Sequence, residues 1–497
     1  MEKPKTLEPE SSKVNERKDE PTTKHWVDVI SNNKNSANDL SLEFVAPKIV
    51  DGEVEIKTEH EDIASEKDEI SEIPGWLISD ELDKQREATK RLNMLVEQGE
   101  TSVIQEVVKQ NAVVPYLINL LANGNTYEQR LLAAQCLANI ARGNEEQTMV
   151  IIDQHAAIPP LVYSLETGRD DIKEMAILAL SNISGHSTTT RDAVVKSGAF
   201  EGLWKLLKNP LEPRLTILKQ ASLALSVFCR GDPPSLEVFD KIRLNMFVLK
   251  QLLMMRTDKE VTKNACITFS LIASKGSPDM IQAVDSARIC PRLIGLIKLP
   301  MPECFEPALL TLAKIAAQSH DYAQRVIEGG DLDWLQSFFT EENNINIVTQ
   351  ALRLISNLTR TAVQIQAVIA AGLVNALVNS TMAESEFRKD AAEAILNITS
   401  NGSPEQILSL VNGGCIPPLC DLLTCADPMI VCTCLNGLKN ILNADQAYKG
   451  MVEGCGGKEK IASLQHNDNL DARDIAVEIL EGFWQEMIDY TQYFDFD

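Results

Sequence analysis

Asparagine recurs at one position of a repeated motif, and its amide group is suited to binding a peptide backbone. The motif has the form A-x-x-x-L-x-N-I and places Asn139, Asn182, Asn357, Asn397 and Asn440 in the same slot. Because Asn is a mediocre helix former, its repetition there is not explained by helix propensity. Each amide offers both a donor and an acceptor. The row therefore predicts a surface that clamps an extended peptide, and the alternative is that each Asn caps or bonds locally within its repeat.

The spacing of this slot defines the elements that must position the amides. The same alignment places Val227, Leu271 and Lys314 in the intervening slots, so successive slots lie 40–45 residues apart. A period of this length is typical of armadillo or HEAT repeats. Small-residue breaks and Pro-led helices between the slots favour three helices per repeat, which is the armadillo layout. We therefore predict an all-α, right-handed armadillo-repeat solenoid of about ten three-helix repeats, whose third helices line a concave groove.

Composition limits the classes of function that the chain can have. Hydrophobic residues make up 44% of the chain and aromatic residues 5%, which suits stacked helices better than β-sandwiches. The net charge of −24 repels nucleic acid and attracts basic partners. No secretory signal or membrane-spanning run is recognisable. We expect no nucleic-acid or membrane partner, and reduced cysteines in the cytoplasm and nucleus.

The amino-terminal part of the chain differs in composition from the rest. Residues 1–72 contain 10 Lys and Arg against 19 Asp and Glu, and they have no sustained apolar periodicity. Such a composition cannot bury enough apolar surface to offset the entropy of ordering. We predict a disordered acidic tail over residues 1–72, an armadillo solenoid over 73–485 and an acidic tail over 486–497.

Sequence motifs give no support for catalysis, a cofactor or a metal site. The chain has no G-x-S-x-G, H-E-x-x-H or G-x-G-x-x-G motif, and GGKEK at 456–460 lacks the first Gly and the Ser or Thr of a phosphate loop. Six cysteines cluster late, but none forms a C-x-x-C pair, so we interpret them as small buried helix residues. The sequence predicts a protein that is not an enzyme and that needs no cofactor. The six are Cys415, Cys420, Cys425, Cys432, Cys434 and Cys455.

Several segments resemble the importin-α (karyopherin-α) family. The resemblance is most specific over 414–442 and 456–468, and it extends to LANIARGNEEQT (137–148), SVFCRGDPP (226–234) and ILNITSNGSPEQI (395–407). It implies an armadillo fold and a nuclear import adaptor. Such an adaptor binds Lys/Arg-rich nuclear localisation signals of cargo proteins, at a major site early in the groove and a minor site late. The resemblance also implies a further candidate partner, the nuclear export receptor for importin-α.

The chain departs from the family pattern in the groove. The family places a Trp four residues before each groove Asn, and this chain has none there. The family pocket for a key lysine combines a Gly, a Thr and an Asp, whereas this chain has Gly143, Thr148 and His186. The positions without Trp are Gln135, Leu178, Leu223, Ile267, Arg353 and Glu393.

The late repeats retain more of the expected chemistry, because carboxylates attract Lys and Arg while amides hold a backbone. Asp390 and Glu393 supply two anions, and Arg353 opposes them with one cation. We therefore predict weak, salt-sensitive binding of a Lys-rich peptide centred on the late repeats. The full set of predicted peptide-binding residues is Asn139, Gly143, Thr148, Asn182, Asn357, Asp390, Glu393 and Asn397.

The partner importin-β and the alternatives to an import adaptor need separate consideration. The family binds importin-β through a strongly basic amino-terminal segment, but KVNERK (13–18) has three basic residues beside acidic ones, so the sequence does not predict direct importin-β binding. The alternative to an import adaptor is a transport-independent scaffold that uses the groove for other peptides. A catenin-like scaffold is disfavoured by the net charge, because catenin-type grooves are basic.

Overall fold

A computed structural model describes residues 70–154, 156–208, 214–231, 236–340, 344–382 and 388–487. The predicted tails fall almost entirely outside these residues, since residues 1–69 and 488–497 are not among them. Every regular element in the described ranges is a helix. Most are α-helices, with short 3-10 segments and one π-helical turn at Val150–Gln154.

The α-helices are numbered in chain order. They are α1 (70–77), α2 (Leu82–Glu97), α3 (Thr101–Lys109), α4 (Val113–Asn123), α5 (Tyr127–Ile140), α6 (Glu145–Met149), α7 (Ile158–Thr167), α8 (Asp170–His186), α9 (Thr188–Lys196), α10 (Ala199–Leu207), α11 (Leu215–Phe228), α12 (Leu236–Leu244), α13 (Met246–Met254) and α14 (Lys259–Lys275). The second half contains α15 (Pro278–Ser286), α16 (Cys290–Ile297), α17 (Phe305–Ala316), α18 (His320–Glu328), α19 (Ile345–Asn357), α20 (Ala362–Ala370), α21 (Val374–Met382), α22 (Arg388–Asn401), α23 (Pro404–Asn412), α24 (Ile416–Leu422), α25 (Pro428–Ala444), α26 (Lys449–Gly454), α27 (Gly457–Leu464) and α28 (Leu470–Phe483).

These helices form ten repeats, the first of which is incomplete. Each complete repeat has a first, a second and a third helix, and in the seventh repeat a 3-10 segment at Asp333–Phe338 replaces the second helix. Each third helix packs against the third helix of the next repeat, and first and second helices contact their counterparts in several repeats. The third helices are α2, α5, α8, α11, α14, α17, α19, α22, α25 and α28.

Aliphatic side chains fill the space between the three helices of a repeat. Leu137, Ile183, Leu225 and Ile395 are at most 1% exposed, and the same pattern recurs along the third helices. A three-helix unit cannot bury its apolar face alone, so each repeat hides it against the next. The all-α armadillo architecture predicted from the sequence is therefore confirmed, including the number of repeats.

The turn between the first and second helices of a repeat requires a small residue. Gly198 has φ +90° and Gly414 has φ +83°, which is the left-handed region that residues with a Cβ rarely adopt. Pro stands in the first turn of α7 and α24, where its missing N–H leaves no helical bond unmade. These features explain the small-residue breaks and Pro-led helices of the sequence.

The ends of the solenoid reach slightly beyond the predicted domain boundaries. Ile70 is 1% exposed, three residues before the predicted start at 73. At the other end Trp484 is fully buried, and Gln465 Nε2 donates a hydrogen bond to Met487 O at 3.1 Å. Apolar packing therefore includes α1 and the segment that follows α28.

No single helix in the described ranges is both long and apolar enough to cross a membrane. The helices α20 and α21 pass such a test only when taken together, and this pair is bent by 85° at its break.

Candidate functional site

The Asn row lies on the third helices, and its amides connect neighbouring repeats. Asn182 Nδ2 donates to Ala138 O at 3.0 Å, and Asn397 Nδ2 donates to Ser356 O at 3.1 Å. In both cases the acceptor is the residue just before the slot of the preceding repeat. Asn357 repeats the pattern, since its Nδ2 lies 3.3 Å from Ala313 O. The slot therefore serves the stacking of repeats, because each of these amides bonds the preceding repeat.

The row begins one repeat earlier than the sequence motif indicates. Asn93 lies on α2, and its Oδ1 accepts a hydrogen bond from Asn139 Nδ2 at 3.3 Å. At the other end, Asn440 Nδ2 donates to Ser400 Oγ at 3.0 Å. The distance of 46 residues from Asn139 would have identified Asn93, although the motif around it lacks the flanking Ala and Ile.

Bonding to the preceding repeat leaves part of each amide available, because an Asn has two donor hydrogens and an acceptor with two lone pairs. Exposure decides which amide a peptide can reach. Asn182 is 3% exposed, and its Oδ1 has no hydrogen-bond partner in the described residues. Asn139, Asn357 and Asn397 are half-buried. The last three are therefore the more accessible members of the predicted set.

The early pocket predicted from the family pattern is tightly closed. Thr148 is fully buried, and its Oγ1 has no hydrogen-bond partner among the described residues. His186, at the position of the family's carboxylate, has Nε2 3.0 Å from Ala141 O. Gly143 is also buried, and a Cβ there would lie 2.2 Å from Gln147 Oε1, which accepts from Asn144 N in the capping box of α6. Packing thus explains Gly143, and contact of Thr148 with a peptide stays a prediction.

The late repeats bring the two predicted carboxylates together with the opposing arginine. Arg353 of α19 lies beside Asp390 of α22, with Nε 3.3 Å from Asp390 Oδ2. The Arg353 side chain is 52% exposed, whereas that of Asp390 is 15% exposed. Glu393 lies one turn further along α22 and is half-buried. Arg353, the cation expected to oppose a basic ligand, is therefore in direct contact with Asp390.

Burial and mutual repulsion affect the ionisation of these carboxyls. Burial raises the pKa of Asp390, and the charge and hydrogen bond of Arg353 oppose that rise. Burial also raises the pKa of Glu393, and the negative charge of Asp390 adds to the effect. Both groups would gain from a second cation, because it would offset their loss of hydration.

A second arginine, three residues beyond the end of α19, engages the Asn of the same repeat. Arg360 Nη2 donates to Asn357 Oδ1 at 3.1 Å and to Ala317 O at 2.7 Å. Asn357 Nδ2 also donates to Arg353 O at 2.9 Å. Both the donor and the acceptor side of Asn357 therefore have partners within the chain. Among the residues that the structure describes, Asn397 Oδ1 has no comparable partner, and its Nδ2 bonds only the carbonyl and the hydroxyl of Ser356.

The slots of α11 and α14, in the middle of the third-helix face, contain no amide. Val227 is 1% exposed and Leu271 is 5% exposed, so two of the intervening slots are closed by buried aliphatic side chains. Four residues earlier, on the same helix face, Leu223 and Ile267 are half-buried. The early and late regions are thus separated by a stretch that is mainly aliphatic.

The tryptophans of the described residues serve the core and the ends of the solenoid. Trp204 and Trp334 belong to second helices or their replacement, and both are nearly buried. Trp484 follows α28 and donates to Glu453 Oε1 at 2.6 Å. Trp76 lies on α1 and is 39% exposed. No Trp of the described residues lies on a third helix, in agreement with the slots read from the sequence.

The late cysteines are explained by packing. Cys415, Cys420 and Cys434 are buried, and burial raises the pKa of each thiol to about 12. The other three are partly exposed, and all six are free thiols. Within the described ranges no group of three or more His, Cys, Asp and Glu side chains is arranged to hold a metal ion.

Comparison with known proteins places these features in a family context. Residues 403–442 match the model of the armadillo/beta-catenin-like repeat, and residues 446–494 match that of an atypical Arm repeat. Importin subunit alpha-1a of Oryza sativa subsp. japonica is 39% identical over 431 residues, which cover 84% of this chain and 80% of that protein. Importin subunit alpha-4 of Arabidopsis thaliana is 38% identical over 422 residues, covering 82% and 77%. Importin subunit alpha-8 of Arabidopsis thaliana is 34% identical over 436 residues, covering 84% and 95%.

A solved structure supports the fold independently. The crystal structure of an engineered protein matches 84% of this chain and 98% of its own, with a TM-score of 0.74 and 27% sequence identity.

Proposed function

Since this chain belongs to the importin-α family, we propose that it is a nuclear import adaptor that binds Lys/Arg-rich nuclear localisation signals of cargo proteins on its third-helix face. Family membership confirms two predictions made from the sequence, the importin-α identity and the absence of enzymatic activity. The remaining question is where on the face a basic signal binds.

The observation that carries this proposal is the pair of carboxylates on α22. Asp390 and Glu393 lie one turn apart, and Asn397 follows Glu393 after a further turn. A Lys side chain is attracted to the carboxylates, while the amide of Asn397 bonds the peptide backbone. Burial raises the pKa of both carboxyls, so a cation from the ligand stabilises their charged form.

The proposal extends to location and partners. An adaptor of this family would occupy both the cytoplasm and the nucleus, and it would need the nuclear export receptor for importin-α to return. The segment 13–18, on which the question of direct importin-β binding depends, lies outside the described residues. A pull-down with the full-length chain distinguishes direct binding of importin-β from its absence.

Import of a fluorescent reporter that carries a Lys-rich signal tests the function. In permeabilised cells supplied with importin-β, the full-length chain should support nuclear accumulation of the reporter. The double variant Asp390→Asn/Glu393→Gln should lose that activity. The matched control is Glu166→Gln/Glu201→Gln, which removes two exposed carboxylates of the second helices α7 and α10.

One observation favours the alternative of a transport-independent scaffold. Arg353 and Arg360 already engage Asp390 and Asn357, so a purely basic signal must compete with the chain's own cations. If a peptide binds the third-helix face but the reporter stays outside the nucleus with the unaltered chain, the scaffold is the better account.

A further inference from the structure

The late carboxylates are partly covered by a cation of the same chain. Arg353 extends from α19 to Asp390 on the neighbouring third helix, and its Nε lies 3.3–3.4 Å from both carboxylate oxygens. Its backbone is fixed as well, since Asn357 Nδ2 donates to Arg353 O at 2.9 Å. The guanidinium therefore stands at the carboxylate that a ligand's basic side chain would use.

The difference in exposure determines what an arriving ligand meets first. Slightly more than half of the Arg353 side chain is exposed, whereas Asp390 is mostly covered. A ligand cation therefore approaches a guanidinium before it reaches Asp390, and like charges at this distance repel each other. Glu393 has no ion pair in the described part of the chain, although the charges of Lys389 and Arg353 act on it, so it is the more available of the two anions.

A second cation near these carboxyls adds to the positive side of the balance. Lys389 contributes an attractive charge to both Asp390 and Glu393. The charges that act on one another here in the described part of the chain are thus two anions, Asp390 and Glu393, and two cations, Arg353 and Lys389. A surface with both signs of charge is complementary to a ligand that also carries both signs.

We propose that the late third-helix face selects a peptide with one basic and one acidic residue rather than a purely basic peptide. The basic residue binds Glu393 and Asp390, and the acidic residue binds the guanidinium of Arg353 as it turns away from Asp390. This proposal rests on the proposed function, since it names the chemistry of the signal bound at that site.

The geometry sets the spacing of the two charges in the peptide. Arg353 and Glu393 lie on neighbouring helices, whose axes are about 8–10 Å apart in packed helix pairs. An extended chain advances about 3.3 Å per residue, so the acidic and basic residues should be roughly two or three positions apart. Both orders of the two residues belong in the test, because either direction of the peptide satisfies this spacing.

The test compares three labelled peptides of equal length by fluorescence anisotropy on the full-length chain. Two carry one Lys and one Glu three positions apart, in opposite orders, beside a common flanking Lys. The third carries Lys in place of the Glu. We expect one of the mixed peptides to bind about 2- to 5-fold more tightly than the all-Lys peptide, in the range of partly exposed ion pairs.

Charge reversal at Arg353 supplies the decisive comparison. The variant Arg353→Glu should reverse the preference, so that the all-Lys peptide becomes the tightest ligand. The control Lys205→Glu changes the net charge by the same amount. Lys205 is an exposed cation of α10 that pairs with Glu166 on α7 of the preceding repeat, far from α22 in the sequence. It should leave the order of the three peptides unchanged. Circular dichroism melting of each variant establishes that the solenoid stays folded.

The outcomes separate this proposal from the function on which it rests. Equal affinities for all three peptides, or an unchanged order in Arg353→Glu, would overturn the proposal while leaving a basic-signal adaptor intact. Failure of every peptide to bind the unaltered chain at low salt would instead contradict the proposed function. If Arg353→Glu melts early, the neutral variant Arg353→Gln takes its place and should abolish the preference.

Discussion

The early and late ends of the third-helix face contain the same amide row but differ in what surrounds it. Asn139 and Asn182 have aliphatic or amide neighbours, with His186 where the family has a carboxylate, and Asn182 is almost fully buried. In the late repeats Asn397 follows Asp390 and Glu393 on one helix. Every one of these amides bonds the preceding repeat, so the row alone does not mark a binding site. The carboxylates of Asp390 and Glu393, beside the late amides, distinguish the two ends of the face.

The comparison also shows two ways in which a groove becomes less accessible to basic ligands. The early region lacks the anion and leaves two buried oxygens, those of Thr148 and Asn182, without partners in the described residues. The late region has anions, but one of them is held by Arg353. The early region lacks a recognition group, whereas the late region has one that is covered. Substitutions can distinguish these two cases.

Restoring a carboxylate to the early region should have the largest effect. In a background of Asp390→Asn/Glu393→Gln, the substitution His186→Asp should strengthen binding of a Lys-rich peptide about 10- to 100-fold, the range for a hydrogen bond to a charged group. Isothermal titration calorimetry measures the change. The control is His320→Asp on α18, where the side chain is 65% exposed. An unchanged affinity would mean that burial, rather than the missing anion, keeps the early region closed.

Removal of single amides should separate the two late Asn residues. Asn397→Ala should weaken peptide binding by roughly 2- to 10-fold, the effect of one lost hydrogen bond. Asn357→Ala should leave affinity nearly unchanged, because Arg353, Ala313 and Arg360 already satisfy its amide. Titration of both variants with the same peptide provides the measurement. Equal losses would show that Asn357 releases its internal partners when a peptide binds.

The smallest effect concerns stability. Because burial and Asp390 raise the pKa of Glu393, its charged form is less stable in the folded chain than in the unfolded chain. Glu393→Gln should therefore raise the melting temperature at pH 7.5, by a few degrees at most. The difference should shrink as the pH falls through the raised pKa and vanish below the ordinary value near 4.5, where both states bind the proton.

Melting curves at a series of pH values check this prediction, with Glu166→Gln as the exposed control. A destabilised Glu393→Gln variant at neutral pH would show that Glu393 contributes to the fold, and that it is not held there for binding.

The sequence predicts the repeats well because their signal is local. A period of 40–45 residues, the A-x-x-x-L-x-N-I motif and Gly at the helix breaks all arise within one repeat, so the fold and its number of repeats follow from them. The family resemblance likewise depends on contiguous segments such as 414–442. Both conclusions agree with the structure and with the relatives.

The parts of the site that escaped prediction depend on contacts between repeats. Arg353 reaches Asp390 across 37 residues of sequence, and Asn139 pairs with Asn93 across 46. Repeat spacing can locate a residue such as Asn93, but which side chains meet depends on how neighbouring helices are offset, and spacing does not reveal that. Gln147, next to the buried Thr148, is a further example, since its Nε2 donates to Thr101 O at 2.9 Å in the preceding repeat. The core also begins earlier than predicted, because Ile70 packs although its surroundings in the sequence are acidic.

The central claim is that carboxylates in the late repeats, and not amides in the early repeats, hold a basic signal. Anisotropy titration of a Lys-rich peptide at low salt tests it most directly, on the unaltered chain and on two double variants. Asp390→Ala/Glu393→Ala should weaken binding at least about tenfold, since two charge-assisted contacts are lost. Asn139→Ala/Asn182→Ala should change affinity by less than about threefold, provided that its melting curve shows a folded chain. Loss of binding in the early pair, with none in the late pair, would contradict the account.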